Sequence, residues 1–133
     1  SNVPYLRVVY LSVLTMKKMI LNEVGDIMEN IEAVIFELIV HSGNARGMLF
    51  EALDAAEADN HEQSVMCMQQ AEAEMTIAHN LQTKLIQDDL KGQGQISLLL
   101  IHAQDQLMTT MSEQALIERL IKMQQQLNQF NQN

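Results

Sequence analysis

DIMENIEAVIFELIVHSGNARGMLFEALDAAEAD, residues 26–59, is the stretch whose reading decides the fold. Within it Ile27, Ile31, Val34, Ile35, Leu38 and Ile39 recur at three- and four-residue steps, and the stripe resumes at Ala45, Leu49, Leu53 and Ala56. This is the period of an α-helix rather than the alternation of a strand, and it predicts one helix of about eight turns ending near Asp59. Ser42-Gly43 sits mid-helix, where the Gly costs about 1 kcal/mol of propensity. A small pair there either admits a close neighbouring helix or allows a bend.

Working outward, Asn60 followed by Gln63 reads as a capping box that opens a second helix. That helix carries Cys67, Ala71, Ala78, Leu81 and Leu85 on one stripe, flanked by Met68, Met75 and Ile86, and stops before Lys91-Gly92-Gln93-Gly94. A third helix runs from about Ile96 to Leu127. The Gln/Asn-rich end, from Gln124, is expected to fray, with 128–133 a disordered tail. Short links force neighbouring helices to run antiparallel, so the expected fold is all-α, an up-down-up three-helix bundle with helices of about 28 to 32 residues over 26–127.

Composition agrees. The chain has 133 residues, 47% of them apolar, with one Pro and five aromatics against ten Met and fifteen Gln, which suits long helices and excludes a β-sandwich. The length supports one domain. Eight Lys plus Arg against seventeen Asp plus Glu give a net charge of −9, which disfavours nucleic acid and anionic lipid as partners. Cys67 stands alone, so no internal disulfide framework is possible and a reducing, cytoplasmic setting fits. No apolar run reaches the roughly 18 residues of a membrane span.

Residues 1–25 stand apart: Arg7, Lys17 and Lys18 against Glu23 give +2, leaving −11 for the rest. The leading Ser-Asn reads as the scar of a cleaved tag, and Met16-Lys17-Lys18 as a start of translation. Residues 1–15 are accordingly either a vector or upstream remnant or a native extension that adds a strand or helix.

The third helix is apolar on two faces. With His102 set at 0° and about 100° per residue, Ile96, Leu100, Ala103, Leu107 and Met111 fall on one side as a core stripe. Leu98, Leu99, His102, Asp105, Gln106 and Thr109 fall on the other. A helix apolar on both sides is covered on both, which points to self-association through this helix. Asp105 on that second face is either a wetted rim residue or a buried carboxylate needing a partner; copies meeting on a symmetry axis would repel unless an oxygen-preferring divalent ion such as Mg²⁺ lay between them. His102 is either a satisfied structural histidine or a nucleophile in an oligomer cleft.

The run from Ile101 through His102-Ala103-Gln104-Asp105-Gln106-Leu107-Met108-Thr109-Thr110 resembles the lactose/cellobiose-type enzyme IIA components of the bacterial phosphotransferase system. Ser42-Gly43-Asn44-Ala45-Arg46, Glu51-Ala52-Leu53 with Ala55-Ala56-Glu57, and Ala78-His79-Asn80-Leu81-Gln82-Thr83 carry the likeness further, over about 100 residues from Ile27 to Leu127. The resemblance implies a trimer of three-helix bundles that acts as a phosphocarrier. In it His102 takes a phosphoryl group from HPr and passes it to a cysteine of a IIB component, which serves sugar uptake through a IIC membrane channel. It also implies a metal, Mg²⁺ by chemistry, held by Asp105 on the trimer axis. Where many relatives have a second His, this chain has Gln106, which can donate a hydrogen bond but cannot carry a proton charge.

A phosphorylated imidazole adds about two negative charges and needs donors. Gln104 and Gln106 carry amides near the site, and Gln82 or Thr109 could reach it from farther off. His79 reads as a packing residue, His41 and His61 as surface residues, and Cys67 as a buried small hydrophobe. Met108 and Met111 near His102 could form an adaptable docking surface. The wording of the motifs leans toward cellobiose or another β-glucoside as the sugar. The competing reading is a non-catalytic helical adaptor or oligomerisation module in which His102 and Asp105 only fix register. A histidine phosphotransfer domain of two-component signalling is disfavoured by the bundle pattern.

Overall fold

The computed structural model describes residues 3–133, with side chains from residue 11 onward, so the Ser1-Asn2 reading lies outside the described residues. Three helices make up the chain: α1 (Val3–Glu57), α2 (His61–Leu90) and α3 (Leu98–Asn131). The all-α expectation holds. α2 has the expected length at 30 residues, whereas α1 reaches 55 because the N-terminal segment continues the helix, and α3 reaches 34 because its Gln/Asn-rich end stays helical. Pro4, the only proline, falls in the first turn of α1, where its missing N–H breaks no intrahelical bond.

The chain divides into a unit of residues 1–33 and one of residues 34–133. In the first, every side chain from Leu11 to Asn30 is exposed. Ile27, expected on the core stripe, is 49% exposed, and the buried series begins instead at Ile35.

The second unit is the bundle. Apart from Ala55, its buried positions follow a heptad-like rhythm: Ile35, Leu38, Ser42, Ala45, Leu49, Ala52 and Ala56 on α1; Ser64, Cys67, Ala71, Met75, Ala78, Gln82 and Leu85 on α2; Ala103, Leu107, Thr110, Ile117 and Ile121 on α3. Steps of three and four residues keep one stripe inward along a slightly supercoiled helix. Six of these positions are Ala, and the small side chains let the axes approach closely. Inter-helix bonds fix the directions. Ser64 Oγ donates to Ala52 O across α1 and α2 at 2.8 Å, and the His41 ring pairs with Glu74 farther along, an antiparallel register. Arg46 Nη2 to Glu113 Oε1 at 2.7 Å and Asn128 Nδ2 to Ala56 O at 2.9 Å set α3 parallel to α1. The bundle is up-down-up.

The turns are built as local chemistry requires. Asn60 Oδ1 accepts from the Gln63 N–H at 3.2 Å and caps α2, but the reciprocal half of the expected capping box is absent. The Asn60 N–H is already taken by Ala55 O at 2.8 Å, so the Gln63 amide goes to Cys67 Sγ at 3.5 Å instead. After α2, Gly92 takes φ +78°, with its N–H on Asp89 O and that of Gln93 on Asp88 O, which closes the helix with a left-handed residue. Ser97 Oγ accepts from the Leu100 N–H at 3.1 Å and starts α3 at Leu98, so Ile96, expected in the core, lies outside the helix and is 86% exposed. Met111, also expected inward, is exposed, and Thr110 takes the buried place beside it.

The Gln/Asn-rich end does not fray. α3 continues to Asn131 because its amides find partners: Asn128 donates to the Ala56 carbonyl at the end of α1, Gln124 to Asn128, and Gln132 to Asp59. Among the described residues, no helix is long and apolar enough to cross a membrane.

Candidate functional site

His102 is the fifth residue of α3, nearer the helix start than the sequence suggests, since capping by Ser97 moves that start to Leu98. Its own N–H still lies inside the helical ladder, so the orphan amides of the first turn do not belong to it. The side chain is exposed, and among the described residues its ring has no hydrogen bond or ion pair. It is therefore not a satisfied structural histidine of this bundle. Both ring nitrogens are open to another molecule.

The outer face of α3, which carries His102, is largely apolar. Leu98, Ile101, Met108, Leu116, Leu120, Met123, Leu127 and Phe130 are all exposed, at spacings that keep them on one side of the helix, opposite the buried stripe. Asp105 interrupts that face and is exposed. Its main-chain oxygen accepts from Thr109 Oγ1 at 2.8 Å, while its carboxylate has no partner among the described residues.

The three expected amide donors separate in the structure. Gln82 is buried between α2 and α3, and its Nε2 donates to Gln104 Oε1, with Met108 Sδ as a second contact at 3.8 Å. Gln104 lies two residues from His102, roughly 160° around the helix, so within one chain this pair sits away from the imidazole. Gln106, one turn after His102, lies on its side of α3. It is half-buried, and its Oε1 is shut off from solvent with no hydrogen-bond partner. Thr109 and Thr110 spend their hydroxyls on main-chain oxygens, Thr110 Oγ1 on Gln106 O at 2.7 Å. Hence the whole Gln106 carboxamide has no hydrogen bond among the described residues, whereas Gln82 and Gln104 are joined to each other through one donor and one acceptor.

The remaining histidines differ from one another. His41, expected on the surface, is half-buried and paired with Glu74 across α1 and α2, because its place on α1 faces the antiparallel neighbour. His61 is exposed and accepts from Gln125 Nε2 at 2.8 Å. His79, expected to pack, is exposed and lines a groove of about 410 Å³ between α2 and α3 with Met75, Met111, Glu72 and Glu118. Cys67 is buried, as expected. Met108 and Met111 are both exposed beside the His102 turn.

Sequence reasoning missed two features. One is the Arg46–Glu113 pair joining α1 to α3; nothing local marks it, since its members lie 67 residues apart. The other is the contact of Gly43 with Gln106: an added Cβ at Gly43 would stand 3.1 Å from Gln106 Nε2. The signal for it was the small pair Ser42-Gly43, whose close-approach reading is the one the bundle adopts. Among the described residues no group of three His, Cys, Asp or Glu could hold a metal ion within one chain.

Comparison with known proteins brings these observations together. Residues 33–125 match the family described as PTS system, Lactose/Cellobiose specific IIA subunit. The lichenan-specific phosphotransferase enzyme IIA component of Bacillus subtilis (strain 168) is 34% identical over 102 residues, covering 76% of this chain and 93% of that protein. Among solved structures, the PTS cellobiose-specific enzyme IIA of Bacillus anthracis superposes with a TM-score of 0.71 at 37% identity, over 74% of this chain and 91% of that one. The IIA(Chitobiose) chain of an Escherichia coli complex with HPr superposes at 0.66 with 37% identity, over 74% of this chain and 96% of that one.

Proposed function

The chain belongs to the lactose/cellobiose-specific IIA family, the phosphocarrier components of the phosphotransferase system, and from that premise we propose that His102 is the residue that carries the phosphoryl group. The observation that carries this reading is the exposed, unpartnered imidazole on the apolar outer face of α3.

A neutral ring nitrogen supplies the lone pair. It attacks phosphorus in line with the N–P bond of a donor phosphohistidine; the new N–P bond forms on His102 as the old one breaks, and the donor imidazole is released. The donor is HPr, the protein with which the chitobiose relative forms a complex. In the second step a cysteine thiolate of the cognate IIB component attacks the same phosphorus and frees His102. Of the candidate donors to the phosphoryl oxygens, Gln106 fits best, while Gln82 and Gln104 serve the α2–α3 packing within their own chain.

The outer face of α3 supports a homotrimer. Its exposed Leu, Ile and Met residues fall at steps of three, four, seven and eight, which keep them on one side, the pattern of a helix that packs against copies of itself. Asp105 is the polar interruption of that seam. Its carboxylate is free and an oxygen donor, which suits Mg²⁺, and a site built from one carboxylate per chain needs the other copies to complete it. Bound there, the ion would neutralise charges that otherwise repel across the axis.

The sugar follows by analogy alone: relatives are named for lichenan, cellobiose and N,N'-diacetylchitobiose, and among these the motif wording favours a β-linked glucoside, imported through IIB and a IIC channel, with this component working in the cytoplasm. The test is a relay. With enzyme I, HPr and labelled phosphoenolpyruvate, the chain is expected to take up one acid-labile phosphate and to lose it to a matching IIB protein. Uptake with no loss to any β-glucoside-type IIB would remove the sugar assignment.

A further inference from the structure

Resting on His102 as the phosphoryl acceptor, we propose that Gly43 is a positioning residue for phosphoryl transfer: its missing side chain forms a notch on α1 that receives the Gln106 carboxamide on the side of α3 that carries the imidazole.

Glycine in a helix interior is unfavourable and calls for a reason. At Gly92 the reason is conformational, a φ of +78°. Gly43 has no positive φ; it lies in regular helix between buried Ser42 and Ala45. Its reason is space, and one group occupies that space. The Gln106 Nε2 is the only atom an added Cβ would meet, at 3.1 Å, a separation that would force the amide to move. Gly47, one turn later on the same helix, has nothing within 4 Å, so closeness is not general along α1.

The Gln106 amide ends a flexible side chain and can give way by the few tenths of an ångström that a Cβ would demand. Its Oε1 is already shut off from solvent, and α3 fixes its stem at the position four residues after His102, on the same face of the helix. Oε1 has no partner and no hydrogen bond is made by Nε2 among the described residues, so this group is uncommitted. A carboxamide suits both states of the imidazole. Its oxygen can accept the ring N–H before transfer, and its nitrogen can donate to a phosphoryl oxygen afterwards, by rotation of the amide and with no proton gained or lost. A side chain on residue 43 would displace that amide by a few tenths of an ångström from the position that serves both tasks.

The experiment is a double-mutant cycle on the full chain with phospho-HPr as donor. Gly43→Ala is expected to slow phosphoryl acceptance about tenfold, as loss of a hydrogen bond to a charged group does, with KM for phospho-HPr unchanged. Its thermal midpoint should stay level or rise, since alanine favours the helix. Gln106→Leu alone should slow the step similarly, and Gly43→Ala in that background should add nothing. A Gly43→Ala chain that accepts at the parent rate, one whose defect lies in KM, or one whose defect is as large in the Gln106→Leu background would each overturn the proposal. Failure of the underlying reading looks different: a His102→Ala chain would then still accept phosphate.

Discussion

At the scale of single residues, the bundle separates side chains that hold it together from side chains left free to react. Leu49 is fully buried among Ala52, Cys67, Ala71 and Ile117, so Leu49→Ala should cost about 2–5 kcal/mol of stability, read as a lower denaturant midpoint. The amides make a sharper contrast. Gln104 is tied to Gln82, whereas Gln106 is uncommitted, so Gln104→Leu should leave the rate of phosphoryl acceptance within about twofold while Gln106→Leu lowers it about tenfold. Rapid-quench labelling compares the two directly. Helical phase set His102 and Asp105 apart from the core stripe, and the resemblance to the IIA family gave them their expected roles. The division of labour among the glutamines could not be read in the sequence, since it depends on the register of α2 against α3, which no local pattern encodes.

At the scale of elements, capping decides where the helices begin and end. Asn60 and Ser97 each accept an otherwise unpaired amide, so Asn60→Ala and Ser97→Ala should each cost about 1 kcal/mol, measured by chemical denaturation. Ser97→Ala should also fray the turn that carries His102, seen as faster amide exchange over the start of α3. Three helices, their order and the caps at Asn60 and after Leu90 were legible in the sequence, because periodicity and turn chemistry are local. Two boundaries were not. The start of α3 was read at Ile96, since an apolar residue in phase looks helical until a serine beside it takes the cap. The Gln/Asn-rich end was read as a tail, because polar composition resembles a frayed terminus unless the partners are known; here Ala56 O and Asp59 are those partners.

At the scale of the whole molecule, one chain leaves the outer face of α3 bare, and the function proposed for it needs that face to be shared. Sedimentation is expected to give a trimer at micromolar concentration. Asp105→Leu should keep or strengthen that assembly while removing its dependence on Mg²⁺, since a repelling carboxylate cluster would become an apolar layer. A parent protein that sediments as a monomer with Mg²⁺ present would contradict the shared face. The second apolar face of α3 was visible in the sequence, and the structure leaves it exposed along most of the helix. The decisive measurement is the intact mass of the chain and of His102→Ala after incubation with phospho-HPr. The expected result is a gain of one phosphoryl group by the parent, lost on mild acid treatment, and no gain by the variant; an equal gain by both would show that the phosphoryl group is carried elsewhere.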